Sequence, residues 1–414
     1  MKTRTLGEVC DEVGGVIRTG PFGSQLHESD YEAEGTPVVM PKNIVHGAVS
    51  TTGIARVGEQ HVKRLAAHKL QKGDIVYGRR GDIGRQALIR EREQGWLCGT
   101  GCLRIQLGAQ VLDPLFLHYY LGQPKVVALI TSKAVGATML NLNTGILRSV
   151  PVTFPELPIQ RKIAALLSAY DDLIENNTRR LQVLEEMAQS LYREWFVEMR
   201  FPGHEEAVTT NSEPGSLPAG WQIVKLSDAV ELAYGRSLTA KTRSPGAVPV
   251  YGSSGITGFH DKALVKGPGI IVGRKGNVGT VFWSDEDFFP IDTVYYAKTQ
   301  ICLHYVFFNL QHQQFLDSDA AVPGLSRGQA YLLPFLKPSA DVLRQFQDMV
   351  EPMFEQIRIL INKNANLRRT RDLLLPKLLS GALDVSVLDI EGVAEDEDLA
   401  PDESTSRSQV LASP

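Results

Sequence analysis

Eleven positions recur in one rhythm at two places in the chain, about 183 residues apart. In the first copy they are Ile159, Ile163, Leu166, Tyr170, Ile174, Asn177, Leu181, Leu184, Ala188, Leu191 and Trp195. In the second they are Val342, Phe346, Met349, Met353, Ile357, Leu360, Asn364, Leu367, Arg371, Leu374 and Leu378. Steps of three and four residues are the period of a helix that presents one apolar stripe to a partner helix. Each stripe closes a glycine-rich segment of roughly 120–155 residues, so the chain reads as "globule, then long helix" written twice.

These repeats predict an α+β fold: two strand-rich domains, each followed by a long helix, with the helices pairing as an antiparallel coiled coil. The expected divisions are a first domain at 1–155, a helix at 156–200, a linker at 201–216, a second domain at 217–338, a helix at 339–382 and an acidic, disordered tail at 383–414. Within the globules, Phe116–Ile130 and Leu303–Phe315 read as helical and the other apolar runs as strands between glycine turns. Ile163, Leu166, Tyr170, Ile174, Phe346, Met349, Met353 and Ile357 are the expected pairing and partner-docking residues. Antiparallel pairing would carry the globules to opposite ends. Asn177 and Asn364 fall at neighbouring but non-equivalent seam positions, where a buried amide fixes register.

Two further features repeat in the same order. KGDIVYGRRGDIG at Lys72–Gly84 matches KGPGIIVGRKGNVG at Lys266–Gly279, and Leu142-Asn143 matches Leu325-Ser326. In the glycine turns, backbone N–H groups can approach an anion, while Arg79 and Arg80, or Arg274 and Lys275, supply charge. Arginine also offers the two-pronged donor that matches guanine O6 and N7. Thr19–Gln25, Lys42 with Asn43, Ser253 and Ser254 in Tyr251–Gly255, and Arg327 in Pro323–Arg327 are further candidate DNA contacts. Such residues are also ordinary turn composition.

Charge permits nucleic acid without requiring it. The net charge is −4, but nine acids and one base lie from Asp384 onward, which leaves about +4 elsewhere. The four scattered cysteines read as reduced thiols rather than a zinc site, and His61 and His68 as structural. The adjacent acids Asp285, Glu286 and Asp287 read as a solvated turn. No phosphate-binding G-x-x-x-x-G-K-[ST], H-E-x-x-H or G-x-S-x-G motif occurs, nor an amino-methyltransferase or metal-dependent nuclease motif. No run is long and apolar enough for a membrane span, so the expected location is cytoplasmic.

Leu217–Ser227 (LPAGWQIVKLS), Gly267–Gly279, Pro155–Ile174 (PELPIQRKIAALLSAYDDLI) and Leu373–Leu383 (LLLPKLLSGAL) resemble the specificity (S) subunits of type I restriction–modification systems. The resemblance spans about residues 1–386. It implies a non-catalytic subunit that reads a bipartite, asymmetric double-stranded DNA site with two target-recognition domains. It also implies two methyltransferase (M) subunits docked on the helices, with restriction (R) subunits as further partners. No cofactor is expected in this chain; S-adenosylmethionine, ATP and Mg would belong to the partners. Of the family's DNA contacts only Arg274 and Lys275 carry over, with Arg79 and Arg80 as their repeat equivalents. A lone enzyme holding a phosphorylated substrate and a protein-binding scaffold are the two rival readings.

Overall fold

The computed structural model describes residues 1–134, 141–206, 209–212, 215–316 and 324–390. The chain forms two compact units, Met1–Ile174 with Asn366–Pro414, and Glu175–Ala365. This division does not follow chain order, because each unit takes a part of each long helix.

In the first unit, Lys2–Thr5 pairs antiparallel with Pro151–Phe154, tying the ends of the globule together. Thr5 then caps the helix Leu6–Glu12, its hydroxyl accepting from the Glu8 N–H while the Glu8 carboxylate accepts from the Thr5 N–H. The main sheet is antiparallel, in the order Val16–Thr19, Cys102–Gln106, Ile75–Gly78, Gln86–Leu88. A second sheet contains a parallel pair, Leu97–Cys98 beside Thr36–Val39. The helical stretch expected from Phe116 divides into Pro114–Leu121 and Pro124–Lys133, each opened by a proline suited to the first turn.

The second unit repeats this plan. Gln222–Lys225 pairs with Pro334–Lys337, and the main sheet runs Glu231–Tyr234, Val294–Lys298, Gly269–Gly273, Val281–Ser284. Its second sheet also has a parallel pair, Val248–Gly252 beside Phe289–Pro290. The Leu6 N–H donates to Val150 O and the Leu226 N–H to Leu333 O, both at 2.9 Å. Unlike side chains thus hang on one backbone scaffold.

The long helices are Leu157–Tyr192, continued by a π-helical turn Arg193–Val197, and Ala340–Leu379. Both enter both cores. Ile163, Leu167 and Leu378 pack with Leu6, Phe116 and Tyr120 in the first unit, and Trp195, Phe196 and Phe346 pack with Tyr305 and Trp221 in the second. Within the first unit Asp171 meets Arg371; within the second, Asn177 meets Asn364 and Trp195 meets Phe346. Numbers rise on one helix as they fall on the other, so the pairing is antiparallel.

Ile163, Ile174, Phe346 and Ile357 are buried, and Leu166, Tyr170 and Met353 half-buried. Met349 corrects the expected seam: it is 47% exposed, and Val350, a four-residue step beyond Phe346, is fully buried in its place. The π turn causes a second difference. Its wider winding turns Phe196 inward beside Trp195, which a strict three–four rhythm does not foresee. The expected loose linker also contains structure, a hairpin of Thr209–Ser212 with Gly215–Pro218, and Phe201 packs on Trp221 at 5.0 Å. After the second helix, Gly381 takes a left-handed φ of 73°, as a helix-terminating glycine does. The chain then buries Val385 in the first core, and the Lys162 ammonium donates to Ser386 O at 2.9 Å. Val385 and Ser386 are therefore anchored to the first unit rather than part of a disordered tail; 391–414, also expected to be disordered, lie outside the described residues.

Candidate nucleic-acid interface

The two glycine turns are built alike. Each follows a buried central strand, Ile75–Gly78 or Gly269–Gly273, and turns through glycines at positive φ: 79° at Gly81 and 82° at Gly276. The Gly78 N–H donates to Arg85 O at 2.8 Å and the Gly273 N–H to Thr280 O at 2.7 Å, closing each turn. The carbonyl of the first arginine then accepts from the Leu of the third repeated feature: Leu142 N–H to Arg79 O at 2.9 Å, Leu325 N–H to Arg274 O at 2.8 Å. The next residue continues the latch as an antiparallel bridge, Arg80 with Asn141 and Lys275 with Gly324. Asn143 and Ser326, beside those leucines, cap the short helices Thr144–Arg148 and Arg327–Tyr331. The second and third repeated features are therefore one structural device.

That device splits the expected basic pairs into two roles. Arg79 is half-buried; its Nε donates to Asn141 Oδ1 at 3.1 Å and Leu142 O at 3.2 Å, and its guanidinium lies 5.7 Å from the Phe22 ring. Arg274 donates from Nε and Nη2 to Asp292 O at 3.2 and 2.9 Å. Both therefore hold the turn. Arg80 and Lys275 are exposed, with side chains that make no hydrogen bond or ion pair among the described residues. They are the cations available to a ligand.

Around the second turn several expected residues come together. Ser254 Oγ accepts from Asn277 Nδ2 at 3.0 Å, and the Ser253 carbonyl accepts from Thr280 Oγ1 at 2.8 Å, so the serine loop is fastened to the glycine turn. Arg327 and Arg274 both stack on Tyr234, at 4.7 and 5.3 Å. Tyr234, 48% exposed, and Asn277 were not foreseen. The one signal for Tyr234 was its place directly before a glycine, Gly235, as Thr19 stands before Gly20 in the first globule.

In the first unit, Lys42 is exposed on a turn that abuts the first glycine turn: a Cβ on Gly101, whose carbonyl holds the Arg79 N–H, would lie 3.3 Å from Pro41 Cγ. Asn43 departs from its expected role as a base contact. It is 1% exposed, its Oδ1 accepting from the Met40 N–H at 3.2 Å and its Nδ2 donating to Ser50 O at 3.3 Å. Its amide is consumed by the turn that carries Lys42. Pro323 lies outside the described residues.

The acidic run 285–287 forms an ordered turn. Asp285 accepts from Trp283 Nε1 at 2.8 Å, and Asp287 accepts from the Gly267 N–H at 3.0 Å. No group of metal-ligating side chains occurs among the described residues. Burial pushes the Cys98 thiol up to about 12 and also raises that of Cys102, so both are inert, protonated core residues.

Two strand-rich domains with matched turns and unlike surfaces, carried on shared paired helices, are the architecture of a DNA-specificity protein. The model of the type I restriction modification DNA specificity domain matches residues 1–186 and 218–319, one segment for each copy of the repeat and together more than half the chain. The chain belongs to that family and is a non-catalytic specificity subunit. It is 24% identical to the type I restriction enzyme MjaIX specificity subunit of Methanocaldococcus jannaschii, over 87% of this chain and 89% of that one. It is 21% identical to the HindI specificity subunit of Haemophilus influenzae, over 77% and 88%. The crystal structure of the S subunit from M. genitalium shares the fold, with a TM-score of 0.59 at 18% identity, covering 91% of this chain and 95% of that one.

Proposed function

We propose that each globule reads one half of a split, asymmetric duplex DNA site, and that Arg80 and Lys275 make equivalent contacts from the two glycine turns. The observation that carries this reading is the shared backbone latch with different surroundings: Phe22 and Lys42 near one turn, Tyr234, Ser253, Ser254 and Arg327 near the other. A common latch sets a common approach to the backbone, while unlike neighbours read unlike bases. The long helices set the spacer between half-sites and dock two M subunits, with R subunits as additional partners. The similar chains of M. jannaschii and H. influenzae are named as subunits of type I restriction enzymes, which supports partners of this kind. S-adenosylmethionine, ATP and Mg would act in those partners, in the cytoplasm; no described helix is long and apolar enough to cross a membrane.

The test is selection from randomised duplexes by the chain assembled with its M partner. Two unlike blocks separated by an unspecified spacer of fixed length are expected. A single block or a palindrome contradicts the reading.

A further inference from the structure

The internal repeat allows each half of the helix pair to be compared with the other, and the two halves differ at their polar contacts. With Ile163 equivalent to Phe346, Asp171 is equivalent to Phe354, and Ala188 to Arg371. In the first unit, Asp171 Oδ1 accepts from Arg371 Nη1 at 2.5 Å and its Oδ2 accepts from the Tyr119 hydroxyl at 2.6 Å. In the second unit the same three places hold apolar groups. Phe354 packs edge-on to Phe308 at 6.0 Å, Ala188 is fully buried, and Phe308 stands six residues beyond its helix cap, as Tyr119 does.

The second polar contact follows the same rule. Asn177 Nδ2 donates to Asn364 Oδ1 at 2.9 Å, and Asn364, 2% exposed, donates to Thr178 Oγ1 at 3.3 Å. The repeat equivalents of Asn177 and Asn364 are Leu360 and Leu181. Each polar seam residue thus has an apolar counterpart in the other copy, and polar meets polar only when the first long helix faces the second.

We infer that these two pairs form a pairing code that admits the first long helix with the second and excludes either helix with its own copy. In a like pair of first helices with the same antiparallel register, Asp171 would face Ala188 and Asn177 would face Leu181, each twice over. In a like pair of second helices, Arg371 would face Phe354 and Asn364 would face Leu360. Every such contact leaves a polar group of the seam, fully buried at Asn364 and half-buried at Asp171, Asn177 and Arg371, without its partner, and four together disfavour like pairing by a factor on the order of 100. The surface fits one kind of partner, the complementary half of this chain, and repels a second copy of itself.

The test uses the full chain with a protease site inserted after the exposed Glu205, nicked once folded. Exchange to constant composition is followed by native mass spectrometry, which separates unlike from like fragment pairs by mass. Unlike pairs alone are expected from the wild-type seam. The variant Asp171→Phe, Arg371→Ala, Asn177→Leu, Asn364→Leu places at each position the residue of the other copy, and like pairs should rise at least ten-fold. The milder Asn177→Leu, Asn364→Leu protein should show a smaller rise, and it decides the matter if the fourfold variant fails to fold. A statistical mixture from the wild type, or no increase in like pairs from whichever variant folds, overturns the inference.

Discussion

At the scale of single residues, the paired cations of each glycine turn do different work, and stability and binding should separate accordingly. Arg79→Ala removes two hydrogen bonds to the Asn141-Leu142 segment. It should lower unfolding free energy by about 1–3 kcal/mol in urea titration. Arg80→Ala should leave the urea midpoint unchanged, weaken DNA binding by the assembled complex and reduce its salt slope by about one counterion. The reverse pattern would assign the contact to Arg79. His118 carries a pH dependence. Gln86 Nε2 donates to the His118 carbonyl, leaving Gln86 Oε1 to accept from His118 Nδ1–H, both at 2.8 Å. Burial dominates and, with nearby Arg90 and Arg371 opposed by Asp171, lowers its pKa to about 4. The folded state keeps the ring neutral while the unfolded chain takes up a proton near pH 6.5. Stability should therefore fall as pH drops below about 6.5 and level off near 4, by on the order of 2–3 kcal/mol. His118→Phe, the residue at the equivalent place in the second unit, should flatten that window in urea titrations at stepped pH.

At the scale of elements, the seam was legible because a helix buried along one stripe must repeat every three to four residues, and eleven positions suffice to reveal it. Its faults are local. Met349 and Val350 are both apolar, so sequence spacing alone does not tell which one faces inward, and the π turn that buries Phe196 leaves no periodic trace. The turn residues show the complementary limit. Lys42 and Asn43 have equal standing as polar loop residues, yet one amide is consumed by the backbone and one ammonium is left outside. Hydrogen-bond economy within a turn depends on contacts distant in sequence. The Asn177–Asn364 contact makes a prediction at this scale. Either single change to Leu strands one amide and should cost about 1–3 kcal/mol, while the double change should recover most of it. A urea double-mutant cycle measures the coupling, and additive effects would deny the contact. Lengthening is the second element test. Four residues inserted in one helix add about 6 Å, and the preferred spacer should grow by one or two base pairs with both half-sites unaltered.

At the scale of the whole molecule, the first core draws on both ends of the chain, whereas the second is built from residues 188–354. The first unit is completed by residues that follow the second long helix, with Val385 in its core. Val385→Asp should therefore destabilise that unit by more than about 3 kcal/mol, as any unpaired charge forced into a core does. Calorimetry should show the loss in the first unit's transition. The resemblance named the family from a few short motifs, whereas the latch joining the glycine turn to the Leu-Asn and Leu-Ser features appeared only once the fold brought them together. The central claim, two unlike readers on one shared scaffold, is tested most directly by sequencing methylated adenines in cells that carry this chain and its M partner. The measurement is then repeated after residues 217–338 are replaced by the corresponding globule of another family member. One half of the methylated site should change while the other half and the spacer length stay as they were; a change in both halves, or in neither, would contradict the account.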